Sequence, residues 1–142
     1  MEWEDFKHHT GRWLVSDAAG LLALGSISIA RGVSYTPALV DPTRSPTHFM
    51  ESVLNPPAWA AVWILVGLLC LFATRIPRLV PPAVGAVVGL HSMWALSFIF
   101  ATILGDSTRG WVSSLGYIGI AAMTLYAYGR GQTSRVTITD ER

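Results

Sequence analysis

The amino-acid sequence predicts an all-α protein, a four-transmembrane-helix bundle with a short amphipathic N-terminal segment. Hydrophobic residues make up 51% of the chain and charged residues only 13%, whereas soluble proteins carry about 25% charged residues. The longest stretch without Asp, Glu, Lys or Arg covers 27 residues, from Leu79 to Gly105. A bilayer needs about 20 apolar residues per helix, because lipid offers no hydrogen-bond partner to an exposed backbone. This stretch therefore predicts a membrane span, and three more apolar segments accompany it.

The N-terminal segment, residues 1–12, carries five charged side chains. Trp3, Phe6 and Trp13 recur at spacings that place them on one side of a helix. The pattern predicts an amphipathic helix that lies in the headgroup layer of a membrane. An irregular terminus that carries the same aromatic residues is the alternative.

The first predicted span, residues 13–30, is interrupted by Asp17 and is rich in small residues, among them Gly20 and Gly25. Its uncharged part, residues 18–30, has only 13 residues, so it crosses a membrane only if the residues around Asp17 are included. Small residues let helices approach closely in a bilayer, which makes Gly20 and Gly25 candidate packing positions. A cleaved signal peptide is the alternative, because a basic residue precedes the apolar run and small residues end it.

A long extramembrane loop, residues 31–55, follows, and it is broken by three prolines: Pro37, Pro42 and Pro46. Within it, a serine followed by proline ahead of residues 47–54 is typical of a capped helix start. We expect a short helix here that rests on the membrane surface. Its apolar side is expected to consist of Phe49, Val53 and Leu54.

Three further spans are predicted at residues 57–74, 82–104 and 110–129, and a polar tail, residues 130–142, ends the chain. The turn at residues 75–78 is too short to leave the membrane surface. We therefore expect the second and third spans to form an antiparallel hairpin.

The distribution of basic residues predicts the orientation. Seven of the ten Lys and Arg residues lie in the N-terminal segment, in the 75–78 turn and in the tail, which a four-span chain places on one side. Cytoplasmic loops carry the excess of Lys and Arg. We expect a protein of the bacterial inner membrane with both termini in the cytoplasm.

His91 is the ionisable side chain in the middle of the third span. A histidine at this depth is costly against lipid and is a candidate functional residue. A neutral imidazole that donates a hydrogen bond to a neighbouring helix is the structural alternative. Gly85 and Gly89 lie nearly opposite His91 at the spacing that lets two helices approach closely. The remaining histidines fall outside the spans, which argues against a haem held by two histidines: His8, His9 and His48.

Asp17 is the second candidate functional residue within a span. It lies near the end of the first span, so its carboxylate can cap the helix or reach the interface. A proton-linked or ion-linked role is the alternative. Asp17 and His91 together would form the titrating pair of a small proton- or ion-coupled transporter or channel subunit.

The sequence shows none of the common enzyme motifs: it lacks a glycine-rich phosphate loop, a zincin-type histidine pair and a GxSxG elbow. The single cysteine, Cys70, leaves no partner for an internal disulfide and no cysteine zinc site. The basic residues are scattered rather than clustered, which argues against nucleic acid as a partner. We expect no enzyme activity, cofactor or metal, and the expected partners are the lipid bilayer and further copies of the chain.

Residues 106–117, DSTRGWVSSLGY, run into an apolar span and a short polar tail. This organisation resembles the small multi-span membrane proteins of phages and prophages of high-GC actinobacteria, some of which are treated as holins. The resemblance implies a small membrane protein that assembles in the host inner membrane, where it either opens the membrane as holins do or acts in the interaction of phage and host.

Overall fold

The computed structural model describes residues 17–41 and 45–133, and within these ranges all regular structure is helical. The elements are five α-helices and a 3-10 turn, Pro77–Leu79, that precedes the fourth helix. The helices are α1 (Asp17–Val33), α2 (Phe49–Val53), α3 (Pro56–Ala73), α4 (Val80–Ile103) and α5 (Gly110–Thr133). The all-α class is therefore confirmed. The expected N-terminal amphipathic segment, the start of the first span and most of the polar tail lie outside the described residues.

Two helical stretches among the described residues are long and apolar enough to cross a membrane, judged by length and composition alone. They are Pro56–Ala73, with 18 residues, and Pro77–Ile103, with 27. The described part of α1 has 17 residues, or about 25 Å of helix against a hydrocarbon core of about 30 Å. Helix α5 has 24 residues, but glycine, serine and tyrosine lower its apolar content. The predicted four-span bundle is not confirmed beyond these two stretches.

The contacts divide the chain into two compact units, Met1–Pro42 with Pro56–Ala83 and Thr43–Asn55 with Val84–Arg142. In the first unit, α1 and α3 touch through their backbones. A Cβ added to Gly25 would lie 2.9 Å from the carbonyl oxygen of Gly67, and one added to Gly32 would lie 2.9 Å from that of Ala60. Because the later residue of α1 meets the earlier residue of α3, the two helices are antiparallel.

Helix α1 ends in a turn that is fixed by Arg31. Its guanidinium donates a hydrogen bond of 3.0 Å to the Tyr35 hydroxyl and lies 4.9 Å from the centre of that ring. The Ser34 hydroxyl donates to the Arg31 carbonyl at 2.7 Å. A cation in the last turn also complements the negative end of the helix dipole. These contacts bury Tyr35 against the end of α1.

In the second unit, α4 and α5 form an antiparallel hairpin. The turn between them uses Gly105, whose φ of +85° lies in the region that favours glycine. A Cβ on Gly110 would lie 2.7 Å from both the Phe98 carbonyl oxygen and the Thr102 hydroxyl. Further along, the rings of Phe98 and Tyr117 stack with centroids 5.8 Å apart. The start of α5 is thus held directly against the backbone of α4.

Candidate functional site

The short helix α2 lies against α4 in the second unit through polar rather than apolar side chains. Phe49, Val53 and Leu54 are exposed, and the buried side chains are His48 and Glu51. The exposed apolar side is the one predicted for a helix that rests on a membrane surface, and that location stays a prediction. Three residues apart, His48 and Glu51 share one side of the chain, and their burial is tolerated because their polar atoms have hydrogen-bonding and charged neighbours.

His48 attaches this segment to α4. Its Nδ1 lies 2.8 Å from the Ser97 hydroxyl, and the backbone N–H of Met50 donates to the same oxygen at 3.0 Å. The imidazole also packs against two aromatic rings of α4, with centroid distances of 4.2 Å to Phe98 and 5.5 Å to Trp94. A single serine of α4 therefore binds both a side chain and a backbone amide of the short segment.

Glu51 completes a group that we call the His48 cluster: the buried His48, Glu51 and Ser97, with the exposed Thr47. One oxygen of Glu51 accepts hydrogen bonds from the Thr47 backbone N–H at 2.8 Å and from the Thr47 hydroxyl at 2.9 Å. Two donors of this kind favour the ionised carboxylate. The other oxygen lies 3.9 Å from Nε2 of His48, a distance suited to an ion pair but too long for a hydrogen bond.

The heavy-atom positions of the His48 cluster suit two protonation states of the imidazole. In the neutral state, the Ser97 hydroxyl donates to Nδ1, and Nε2 carries its proton toward Glu51. In the charged state, Nδ1–H donates to the Ser97 oxygen and the imidazolium faces the carboxylate. The cluster can therefore gain or lose a proton without rearranging its hydrogen-bonded atoms.

Serine, histidine and a carboxylate also form hydrolase triads, but the geometry here is different. In a triad the nucleophile hydrogen-bonds Nε2, and the acid holds Nδ1–H within hydrogen-bond distance. Here Ser97 bonds to Nδ1 and Glu51 lies 3.9 Å from Nε2. Ser97 is also buried and accepts the Met50 amide. This arrangement suits proton binding better than nucleophilic attack.

His91 is buried in α4, as expected for a histidine in the middle of an apolar helix. Its Nδ1 lies 2.8 Å from the carbonyl oxygen of Val87 one turn earlier, so Nδ1 carries the proton of this bond. The ring centre lies 5.8 Å from that of Tyr117 in α5. This hydrogen bond is made within α4, whereas the structural alternative predicted for His91 was a hydrogen bond to a neighbouring helix.

Asp17 is the first residue of α1 and is exposed. A carboxylate in the first turn of a helix is favoured by the positive end of the helix dipole, and the capping role of Asp17 stays a prediction. Asp17 belongs to the first unit and His91 to the second. Neither unit alone contains the proposed titrating pair, and that pair stays a prediction.

The four glycines predicted as packing positions differ in their surroundings. Gly25 contacts the backbone of α3, and Gly20 is half-buried in the first turns of α1. Gly85 and Gly89 are exposed on α4, and a Cβ at either would meet no atom of the described chain within 4 Å. Gly25 is thus used within the chain, whereas Gly85 and Gly89 leave a free surface on α4.

The part of the chain that the structure describes contains no group of three or more His, Cys, Asp or Glu side chains that could hold a metal ion. Cys70 is a buried free thiol in α3. The His48 cluster has one imidazole and one carboxylate, and its other members are hydroxyls. It is therefore better suited to protons than to transition metals.

No protein-family model matches the sequence, and no significant match is found among curated proteins or solved structures. Function must therefore be inferred from the residues themselves.

Sequence reasoning missed the His48 cluster. The spacing of His48 and Glu51 on one side of a helical turn was a visible signal. Ser97, the hydrogen-bond partner of His48, lies 49 residues further along the chain, and nothing in the sequence joins two positions so far apart.

Proposed function

We propose that the chain is a non-enzymatic integral protein of the bacterial inner membrane that acts by helix association, and that holin-like permeabilisation is its most concrete activity. The observation that carries the proposal is the large number of exposed apolar side chains, together with polar side chains that are buried among the apolar core. Polar residues are buried, including His91, Ser97, Ser114 and Thr124, while large apolar residues are exposed, including Leu65, Phe72, Phe100, Leu115 and Met123. Lipid favours this arrangement, because exposed apolar side chains need no cover there.

The buried hydroxyls of α5 support the same proposal. The Ser114 hydroxyl donates to the Trp111 carbonyl and the Thr124 hydroxyl to the Ile120 carbonyl, each at 2.7 Å. A hydroxyl bonded to its own helix has no need of water, so α5 can pass through an apolar medium despite its polar residues.

Association of copies is proposed to use α4. Gly85 and Gly89 are one turn apart on its exposed surface, and small residues at this spacing let two helices approach closely in lipid. The contact of Gly25 with Gly67 shows how closely glycines let two helices of this chain pack. A second copy would place its own Gly85 and Gly89 against the first.

The test of permeabilisation is induction of the protein in a bacterium, with membrane potential and culture density followed over time. We expect the potential to collapse once the protein has accumulated in the membrane, and the Gly85→Leu, Gly89→Leu double variant to delay or abolish the collapse. An intact potential at high membrane expression would contradict holin-like permeabilisation, although not the helical fold.

A small proton- or ion-coupled transporter or channel subunit is the second candidate function. The observation that favours it is the burial of His91 in a helix of membrane-spanning length, where ionisable residues commonly mark ion or proton pathways. This function predicts transport that depends on pH between about 5 and 7, where histidine titrates. Transport that persists in both Asp17→Asn and His91→Phe would exclude coupling through these residues.

A further inference from the structure

The segment before α3 contains a second buried imidazole, whose surroundings differ from those of His91. His48 lies between a hydroxyl of α4 and a carboxylate of its own segment, within 2.8 Å of Ser97 and 3.9 Å of Glu51. We infer that the His48 cluster is a proton-binding site, and that the proton bound by His48 strengthens the attachment of α2 to α4. This inference goes beyond the proposed function, because it requires neither association of copies nor permeabilisation.

The carboxylate of Glu51 is buried beside the imidazole of His48. Glu51 accepts two hydrogen bonds from Thr47 through one oxygen, while its other oxygen faces Nε2 of His48. A buried carboxylate is costly unless it is paired or hydrogen-bonded. An imidazolium at 3.9 Å provides the opposite charge, whereas a neutral imidazole provides only a weak dipole. His48 and Glu51 belong to the same segment, and in the attached state both side chains are shielded from water, which strengthens their attraction. Attachment therefore favours the protonated form of His48.

The groups of α4 that face the imidazole are uncharged. Helix α4 presents Trp94, Ser97 and Phe98 to it, and none of these side chains is charged. The other titratable side chains placed by ring contacts in this unit are His91 and Tyr117. His91 already donates Nδ1–H to the backbone of α4, so its proton is held separately. Glu51 is a charged group that faces His48, with 3.9 Å between its carboxylate oxygen and Nε2.

The attachment of α2 to α4 depends on pH in a definite direction. If the attached state binds the proton more tightly than the detached state, proton binding must strengthen attachment by the same factor. Histidine ordinarily titrates near pH 6.5. Attachment is therefore strongest when His48 is protonated and Glu51 is ionised, and it weakens as pH rises from about 6 to 8. It weakens again in acid, where Glu51 gains a proton and the pair is lost.

Hydrogen exchange at the Met50 amide tests this inference, because its N–H donates to Ser97 in the attached state. The full chain in lipid nanodiscs is compared at pH 6 and pH 8, with rates corrected for the intrinsic effect of pH on exchange. We expect the corrected protection of Met50 to fall about tenfold, the factor that corresponds to one pH unit of proton affinity. Unchanged protection, or protection that rises with pH, would overturn the inference.

Three variants identify the group responsible. His48→Asn keeps an acceptor for Ser97 but cannot titrate, and Glu51→Gln removes the charge, so both should abolish the difference between pH 6 and pH 8. His91→Asn is the matched control and should keep it. A pH dependence that survives in His48→Asn contradicts the assignment.

A measurement on the unmodified chain covers the case in which His48→Asn detaches α2 at every pH. The imidazole ¹⁵N shifts of His48 report its protonation directly. We expect their midpoint to coincide with the midpoint of Met50 protection, and a separation of more than about one pH unit would overturn the inference.

Discussion

At the scale of the residue, Ser97 holds the short segment before α3 on α4. Its hydroxyl oxygen accepts the Met50 amide at 3.0 Å and lies 2.8 Å from Nδ1 of His48. One small polar side chain, buried in a largely apolar helix, therefore provides two contacts across 47 and 49 residues of sequence.

Removal of this hydroxyl gives the first prediction. Ser97→Ala deprives a buried amide and a buried imidazole of their shared partner, and such losses cost about 1–3 kcal/mol. We expect Ser97→Ala to lower the free energy of unfolding in detergent by this amount, measured by denaturant titration. Ser113→Ala, at an exposed serine of α5, should change it by less than about 0.5 kcal/mol. Equal effects of the two variants would show that the Ser97 contacts contribute little.

At the scale of the element, the pairing of α1 with α3 depends on glycines whose role the sequence only partly reveals. Gly25 was a predicted packing position, because it lies among other small residues. Gly67 was not predicted as a packing position, because nothing about a single glycine in the apolar run of α3 indicates which helix it faces. A Cβ on Gly67 would nevertheless lie 2.7 Å from the Gly25 carbonyl oxygen.

Single alanines at two glycines should have opposite effects. Gly67→Ala places a methyl group against backbone, so overpacking should cost about 1–3 kcal/mol. At Gly85 a methyl group meets no described atom within 4 Å, and alanine improves helix propensity by about 0.5–1 kcal/mol. Thermal unfolding in detergent should show a lower Tm for Gly67→Ala and an unchanged or higher Tm for Gly85→Ala. The same direction of change in both would contradict the α1–α3 contact.

The helix boundaries and the buried sides were predictable to different degrees. Helices α3 and α4 begin and end within two residues of the predicted segments 57–74 and 82–104, because prolines and charges mark their ends locally. The apolar side of α2 was predicted from its sequence, and Phe49, Val53 and Leu54 are exposed. The contact of this segment with α4 was not predicted, because it depends on Ser97, a partner distant in sequence. The bounds of α3 and α4 could thus be predicted from local sequence signals. The candidate site could not, because it depends on contacts between residues that are distant in sequence.

At the scale of the whole molecule, the proposal of a membrane protein depends on the exposed apolar side chains. It predicts that the chain stays in the membrane pellet after a carbonate wash and dissolves only in detergent. A chain that is released by carbonate, or that remains monodisperse in detergent-free buffer, would contradict the membrane proposal and the functions derived from it.

The proposed association of copies gives a prediction with a matched control. Leucines at Gly85 and Gly89 should block close approach at this surface and reduce self-association in detergent or lipid at least several-fold, measured by energy transfer between labelled copies. Leucines at Gly116 and Gly119 of α5, where a Cβ also meets no described atom within 4 Å, should leave association largely unchanged. A similar loss of self-association in both double variants would mean that added leucines disturb association wherever they are placed, and it would contradict the proposed contact through α4.

The backbone contact between α1 and α3 also limits how this part of the molecule can move. Two helices separated by layers of side chains can slide or roll, since rotamers adjust to follow them. Here Gly25 and Gly67 bring main chain against main chain, and a displacement along the axis would carry Ile29 or Leu71 into that space. Any large motion of the first unit should therefore carry both helices together as a rigid body.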